Sequence, residues 1–136
     1  MAARIVAAVS PDVQGRIRAI LVDCEVRFVD TGAELARALD EAPCDLVLVG
    51  LHFEESSALA ALEQVFSREH NFPVVCVRGR PFQRLDERSL HGLRMALSEL
   101  GVGNFIDLLQ YPDDPAGNAH LAAALERVMS RRLRSA

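Results

Sequence analysis

The sequence predicts a three-layer α/β domain in which five parallel strands alternate with five helices. Short apolar runs recur along the chain, and the stretches between them are long enough for crossover helices. Those stretches carry apolar residues at helical spacing and begin or end at capping residues, proline or glycine. With 136 residues, the chain can bury a core without disulfide or metal support. We therefore predict one domain over residues 1–136.

Three elements are predicted from the beginning of the chain. Residues 4–9 form an apolar run that is typical of a buried strand. Ser10 and Pro11 then begin a helix, because serine favours the N-cap and proline favours the first helical position. The alternating polarity of residues 24–29 indicates a second strand.

The next elements are predicted by a capping box and by the most apolar run of the chain. Thr31 and Glu34 have the spacing of a capping box, which begins a helix over residues 33–41. Residues 45–51 are apolar without alternation, so both faces of this third strand should be covered, as in the centre of a parallel sheet. Residues 57–70, rich in alanine and leucine, follow as a helix.

The second half of the chain continues the alternation. Residues 72–77 and 104–109 are the fourth and fifth predicted strands, and residues 84–100 between them form a long amphipathic helix. Residues 112–117 are predicted as a loop before the last helix, residues 118–133. Because strands joined by right-handed crossovers pair in parallel, these elements predict a doubly wound, flavodoxin-like sheet with strand order 2-1-3-4-5.

Composition excludes several classes of function. Hydrophobic residues make up 50% of the chain and charged residues 25%, which is ordinary for a globular domain and unlike a disordered one. No apolar stretch reaches the ~20 residues that cross a bilayer, and residues 1–11 lack a signal-peptide pattern. We therefore expect a cytoplasmic protein without a membrane partner. A net charge of −4 argues against binding to nucleic acid.

The cysteines do not indicate a metal site or a disulfide framework. Cys24, Cys44 and Cys76 are widely spaced, without the pairing that zinc sites require. Each lies in or beside an apolar run, so all three are predicted to be buried, reduced thiols. We predict no cofactor.

Four segments resemble the receiver domains of bacterial response regulators, the CheY-like family. They are VAAVSPDVQGRIRAIL at the first strand and helix, CDLVLVGL at the third strand, FPVVCVRG at the fourth strand and ELGVGNFIDLLQYP before the last helix. The resemblance extends over nearly the whole chain. It implies the receiver fold and a role in two-component signalling.

The resemblance does not extend to the residues that carry the family's chemistry. In that family, two acidic residues after the first strand hold Mg²⁺, and an Asp that ends the third strand accepts a phosphoryl group. A Thr or Ser ends the fourth strand, and a Lys ends the fifth and neutralises the phosphate. Aligned with this pattern, the chain has Ala8 and Val9 in place of the acidic pair, Gly50 in place of the acceptor, and Arg78 in place of the hydroxyl residue.

The lysine position falls near Leu108 or Tyr111, and all 15 basic residues of the chain are arginine. The resemblance therefore implies a pseudo-receiver that is not an enzyme and acts by phosphorylation-independent protein–protein interaction. In the family, the last two strands and helices form the docking surface, which corresponds to residues 84–100 and 104–133 here. A homodimer through these last helices and the last strand is a further implication.

A second class of function remains open at the carboxyl edge of the sheet, where open α/β sheets bind ligands. The candidates for a ligand or partner site at this edge are His52, Glu54, Glu55, Arg78, Arg80 and Tyr111. Guanidinium groups bind phosphate well, so the alternative function is binding of an anion or nucleotide. Arg78 paired with Glu54 or Glu55 would instead replace the phosphorylation switch by a fixed ion pair. A third possibility is a structural remnant that folds but has lost its partner.

Overall fold

The computed structural model describes residues 3–50, 72–78, 95, 98 and 104–135, and only the backbone of residues 131–135. The predicted helix of residues 57–70 lies outside this part of the chain. Of the predicted helix of residues 84–100, only Met95 and Ser98 are described, and both are helical.

A five-stranded parallel sheet forms the centre of the domain, with helices against it. The strands are β1 (Arg4–Ala8), β2 (Glu25–Val29), β3 (Leu46–Gly50), β4 (Val74–Arg78) and β5 (Asn104–Asp107). The described helices are α1 (Pro11–Ile20), α2 (Gly32–Glu41) and α3 (Pro115–Ser135). The strand order is β2-β1-β3-β4-β5, and all neighbouring strands are parallel. The predicted fold class and strand order are confirmed.

The core lies on both faces of the sheet, because alternate residues of the central strands point to opposite sides. On one face, Ile5 packs with Ile17 of α1 and Leu121 of α3. On the other face, Val6 packs with Leu35 of α2 and with neighbouring strand residues. Every residue of β3 is buried, as its apolar run predicts. Among the described residues, no helix is both long enough and apolar enough to cross a membrane.

The two predicted helix caps are present in part. The Thr31 side chain accepts a hydrogen bond from the backbone N–H of Glu34 at 3.1 Å. The Glu34 carboxylate accepts from the backbone N–H of Asp30 at 3.0 Å, one residue before the position that a capping box uses. Ser10 occupies the N-cap of α1, but its side chain makes no capping hydrogen bond.

The boundaries around β5 differ from the prediction. The strand ends at Asp107 rather than at residue 109, because a 3₁₀ turn, Leu108–Gln110, begins there. The segment predicted as a loop up to residue 117 is already helical from Pro115. Asp114 explains this early start, since its carboxylate accepts from the backbone N–H of Gly117 at 2.7 Å. An aspartate cap followed by a proline is a strong helix start.

The cysteine prediction is correct for two of the three residues. Cys44 and Cys76 are buried, whereas Cys24 is half-buried. Burial raises the pKa of the Cys76 thiol to about 12 from an ordinary value of 9.0, so this thiol is a poor nucleophile at neutral pH.

Candidate functional site at the carboxyl edge

Four strands bring their last residues to one edge of the sheet. β1 ends at Ala8, β3 at Gly50, β4 at Arg78 and β5 at Asp107. The parallel register aligns Gly50 with Val77 of β4, and Arg78 with Asp107. The fold therefore brings three of the predicted positions to one edge and adds Asp107 to them.

The positions at the ends of β1 and β3 are apolar and closely packed. Ala8 and Val9 are almost completely buried, and they belong to the cores on opposite faces of the sheet. A Cβ atom on Gly50 would lie 3.4 Å from both Cα and Cγ1 of Val9. The first acidic residue after β1 is Asp12, which is exposed in the first turn of α1.

Arg78 and Asp107 form an ion pair across the ends of β4 and β5. Arg78 Nη1 lies 2.9 Å from Asp107 Oδ2, and the two side chains are only 16% and 7% exposed. The second carboxylate oxygen, Oδ1, accepts from the backbone N–H of Leu109 at 3.0 Å. Both oxygens of Asp107 are thus engaged, one by a guanidinium and one by the 3₁₀ turn.

The structure gives Arg78 a carboxylate partner that the sequence prediction did not name, and the predicted pairing with Glu54 or Glu55 stays a prediction. Glu54 and Glu55, the carboxylates predicted for it, lie outside the described residues. The observed carboxylate belongs to Asp107, at the end of β5. A signal was present, since Asp107 is the one charged residue within the predicted strand of residues 104–109.

Arg16 of α1, which was not among the residues predicted from the sequence, fixes the loop that follows β5. Its Nη1 donates to the carbonyl of Leu108 at 2.6 Å, and its Nη2 donates to the carbonyls of Tyr111 and Pro112 at 2.8 and 3.0 Å. The Arg16 side chain is 13% exposed and its Nε lies 3.8 Å from Asp113 Oδ1. Because the main acceptors are backbone carbonyls, no residue type in the sequence could identify them.

The remaining candidates for a ligand site are only partly described. Tyr111 is 37% exposed, while His52, Glu54, Glu55 and Arg80 lie outside the described residues. In residues 3–50, 72–78 and 104–130, no three His, Cys, Asp or Glu side chains are grouped as metal ligands.

A cavity of about 410 Å³ lies at the opposite, amino end of the sheet, between β1, β2 and the end of α2.

Anion or nucleotide binding at the carboxyl edge stays a prediction. A thermal-shift screen with nucleotides and cyclic dinucleotides tests it.

Comparison with known proteins supports the fold. No protein-family model matches the sequence, and no curated protein matches it. Among solved structures, a CheY-like response regulator receiver domain protein from Methanospirillum hungatei has a TM-score of 0.75 at 13% identity, with 100% of both chains covered.

Two further structures are similar to the chain. The receiver domain of a sensor histidine kinase from Pseudomonas aeruginosa, with a magnesium ion coordinated in its active-site cleft, has a TM-score of 0.69 at 18% identity and covers 96% and 99% of the two chains. NtrX from Brucella abortus has a TM-score of 0.75 at 21% identity, and the match covers 99% of this chain but only 28% of NtrX. The structural neighbours are therefore receiver domains, and at these identities the similarity establishes the fold.

Proposed function

We propose that the chain is a cytoplasmic pseudo-receiver of a bacterial two-component-type pathway, which acts by binding protein partners without being phosphorylated. The observation that carries this proposal is the Arg78–Asp107 ion pair beside Gly50. It occupies the edge at which receiver domains carry out their chemistry.

Phosphorylation of a receiver needs an acceptor carboxylate and a magnesium site. Gly50 ends β3 and has no side chain to accept a phosphoryl group. Ala8 and Val9 offer no oxygen ligand from a side chain, and Mg²⁺ is held in proteins mainly by carboxylates and water. The exposed Asp12 supplies a single carboxylate, one turn into α1.

The charge at the end of β5 is opposite to that of the family. Asp107 is the last residue of this strand, and the family's lysine likewise ends the fifth strand, although the sequence alone placed the lysine position near Leu108 or Tyr111. Positive charge comes instead from Arg78 on β4, and Asp107 neutralises it at 2.9 Å. A phosphate at this edge would have to displace a carboxylate that is already held in place. This supports a permanent ion pair rather than a switch.

The proposed partner surface consists of α3, β5 and the loop between them. Leu109 and Tyr111 are 41% and 37% exposed there, and aromatic side chains such as tyrosine are enriched in protein interfaces. The backbone of both residues is fixed by hydrogen bonds, since Arg16 donates to the carbonyl of Tyr111 and the Asp107 carboxylate accepts from the N–H of Leu109. A homodimer through the same surface is one form that the interaction would take.

Phosphorylation is tested by incubation with acetyl phosphate and Mg²⁺, followed by measurement of the intact mass. We expect no phosphoryl adduct, while an active receiver domain treated in parallel is labelled. A phosphorylated aspartate in this chain would overturn the proposal.

The interaction is tested by affinity capture from the source cell. Wild-type protein is compared with a Leu109→Ser/Tyr111→Ser variant, with Val22→Ser as the control because Val22 is the most exposed of the large hydrophobic residues described, at 72%. We expect the same partner with or without acetyl phosphate, and its loss only in the double variant. Binding that requires acetyl phosphate would contradict the proposal.

A further inference from the structure

The strand β2 leaves one row of backbone groups without a strand partner in the described sheet. β2 is the first strand in the order β2-β1-β3-β4-β5 and pairs with β1 alone. The N–H of Glu25 donates to the carbonyl of Ala3 at 2.8 Å, so the odd-numbered residues of β2 direct their backbone groups toward β1. The N–H and C=O groups of Val26 and Phe28 consequently point away from the sheet.

The side chains along this edge are self-complementary in charge. Glu25 and Arg27 are two residues apart and therefore project from the same face of the strand. In an antiparallel pair of two β2 strands centred on Val26, Glu25 of each copy is opposite Arg27 of the other. A pair centred on Arg27 would place two arginines opposite each other, which is unfavourable. The charges thus select one register.

The same register also pairs the outward-directed N–H and C=O groups of β2 with those of the second copy. Val26 then pairs with its own copy through two N–H···O=C bonds, and Cys24 pairs with Phe28 in the same way. Glu25 and Arg27 fall at the closely spaced pairs without hydrogen bonds, where side chains interact best. On the other face, Val26 and Phe28 are only half-buried and would bring apolar surface to the contact.

The charged groups at this edge are accessible to a second copy. Glu25 Oε2 lies 3.3 Å from Arg4 Nε, and Arg27 Nη1 lies 2.6 Å from Glu41 Oε2. All four side chains are nevertheless about half exposed or more. Ion pairs with this exposure contribute little and exchange partners readily. The 410 Å³ cavity next to Glu25, Val26 and Arg27 lies between these residues and the end of α2, so the helix does not close over this part of the strand.

We propose that two copies of the chain associate through β2, antiparallel and centred on Val26. The dimer then has one continuous sheet of ten strands, five from each copy. A two-fold axis produces this antiparallel arrangement directly. β5 and α3 lie toward the opposite edge of the sheet, so the dimer goes beyond the proposed function and leaves its partner surface free.

Charge reversal at the edge tests this proposal by sedimentation velocity over a range of protein concentrations. Wild-type protein is expected to form a dimer. Glu25→Arg creates arginine–arginine contacts, Arg27→Glu creates glutamate–glutamate contacts, and each should raise the dimer Kd about tenfold or more, since two cross-strand pairs become repulsive. The double variant Glu25→Arg/Arg27→Glu restores opposite charges and should dimerise like wild type.

Mixing the two single variants provides the sharpest check. Glu25→Arg presents two arginines and Arg27→Glu presents two glutamates, so the mixture should form a heterodimer although neither variant dimerises well by itself.

Val26→Pro, which removes the N–H directed outward, should also disrupt the dimer, whereas Val26→Ala retains it. Thermal unfolding verifies that each variant is folded. A monomeric wild type, or a dimer that persists in both single variants, would overturn the proposal, and the latter would place the interface elsewhere, for example on α3.

Discussion

Replacement of Asp107 by alanine should destabilise the domain far more than loss of any exposed ion pair. Removing one partner of a buried ion pair costs about 3–5 kcal/mol, and Arg78 retains 16% exposure, so the lower part of that range applies. Loss of the hydrogen bond to the N–H of Leu109 adds about 1 kcal/mol. We expect Asp107→Ala to lower the free energy of unfolding by about 4 kcal/mol. Asp107→Asn keeps an oxygen for Leu109 and should cost about 1 kcal/mol less.

Urea denaturation measures these differences, and the Arg27–Glu41 pair provides a matched control. Its N···O distance is shorter, 2.6 Å against 2.9 Å, but its side chains are 47% and 50% exposed. If burial determines the energy, Glu41→Ala costs about 0–1 kcal/mol. Replacing both members of the buried pair by apolar residues should cost less than Asp107→Ala alone. Equal losses for Asp107→Ala and Glu41→Ala, at unchanged denaturant m-values, would refute this reasoning.

Two further predictions concern Arg16 and Cys76. Arg16→Ala removes donors from three loop carbonyls, so it should lower the free energy of unfolding by about 2 kcal/mol and increase hydrogen exchange at the Tyr111 amide. The control Arg37→Ala, at an exposed position of α2, should have neither effect. Unchanged exchange at Tyr111 would contradict the role of Arg16. Burial raises the pKa of Cys76 to about 12 from 9.0, so the unfolded chain loses this proton first. The buried, protonated Cys76 thiol makes its full contribution to the free energy of unfolding below pH 9.0. This contribution declines as the pH rises toward 12, and at pH 10 the free energy of unfolding is lower by about 1.4 kcal/mol. Urea denaturation at increasing pH should show a steeper decline in wild type than in Cys76→Val, in which Cys24, whose pKa burial also raises, still contributes. Parallel curves would be the contrary result.

The sequence predicted the fold well because the fold depends on local patterns. The unalternating apolar run of β3 indicates a strand covered on both faces, and every residue of Leu46–Gly50 is buried. Thr31 begins α2 by the predicted side-chain contact. The errors lie where two local signals compete. Residues 112–117 carry two prolines and a glycine, which suggest a loop, but the Asp114 cap and Pro115 begin a helix there.

The site could be predicted only as far as single positions determine it. The absence of a carboxylate at Gly50 can be read from one residue aligned with a strand end. The partner of Arg78 could not be predicted in this way, because it depends on the register between β4 and β5. That register pairs Arg78 with a residue 29 positions later in the sequence. Arg16 presents a harder case, since its acceptors are carbonyls 92 to 96 residues away, and every residue type carries such a carbonyl.

The charges of the described residues at the carboxyl edge give the proposed function a physical basis for acting without a switch. A ligand shifts a conformational equilibrium only by as much as its affinity differs between the two states. A receiver with several carboxylates at this edge has charge for a cation and a phosphoryl group to neutralise, and that difference can drive a change of conformation. In this chain, Ala8, Val9 and Gly50 carry no charge, and Arg78 is balanced by Asp107. With Arg16 holding the adjacent loop, the proposed function has the partner surface in one arrangement, whose availability would depend on the concentration of the protein rather than on a phosphorylation state.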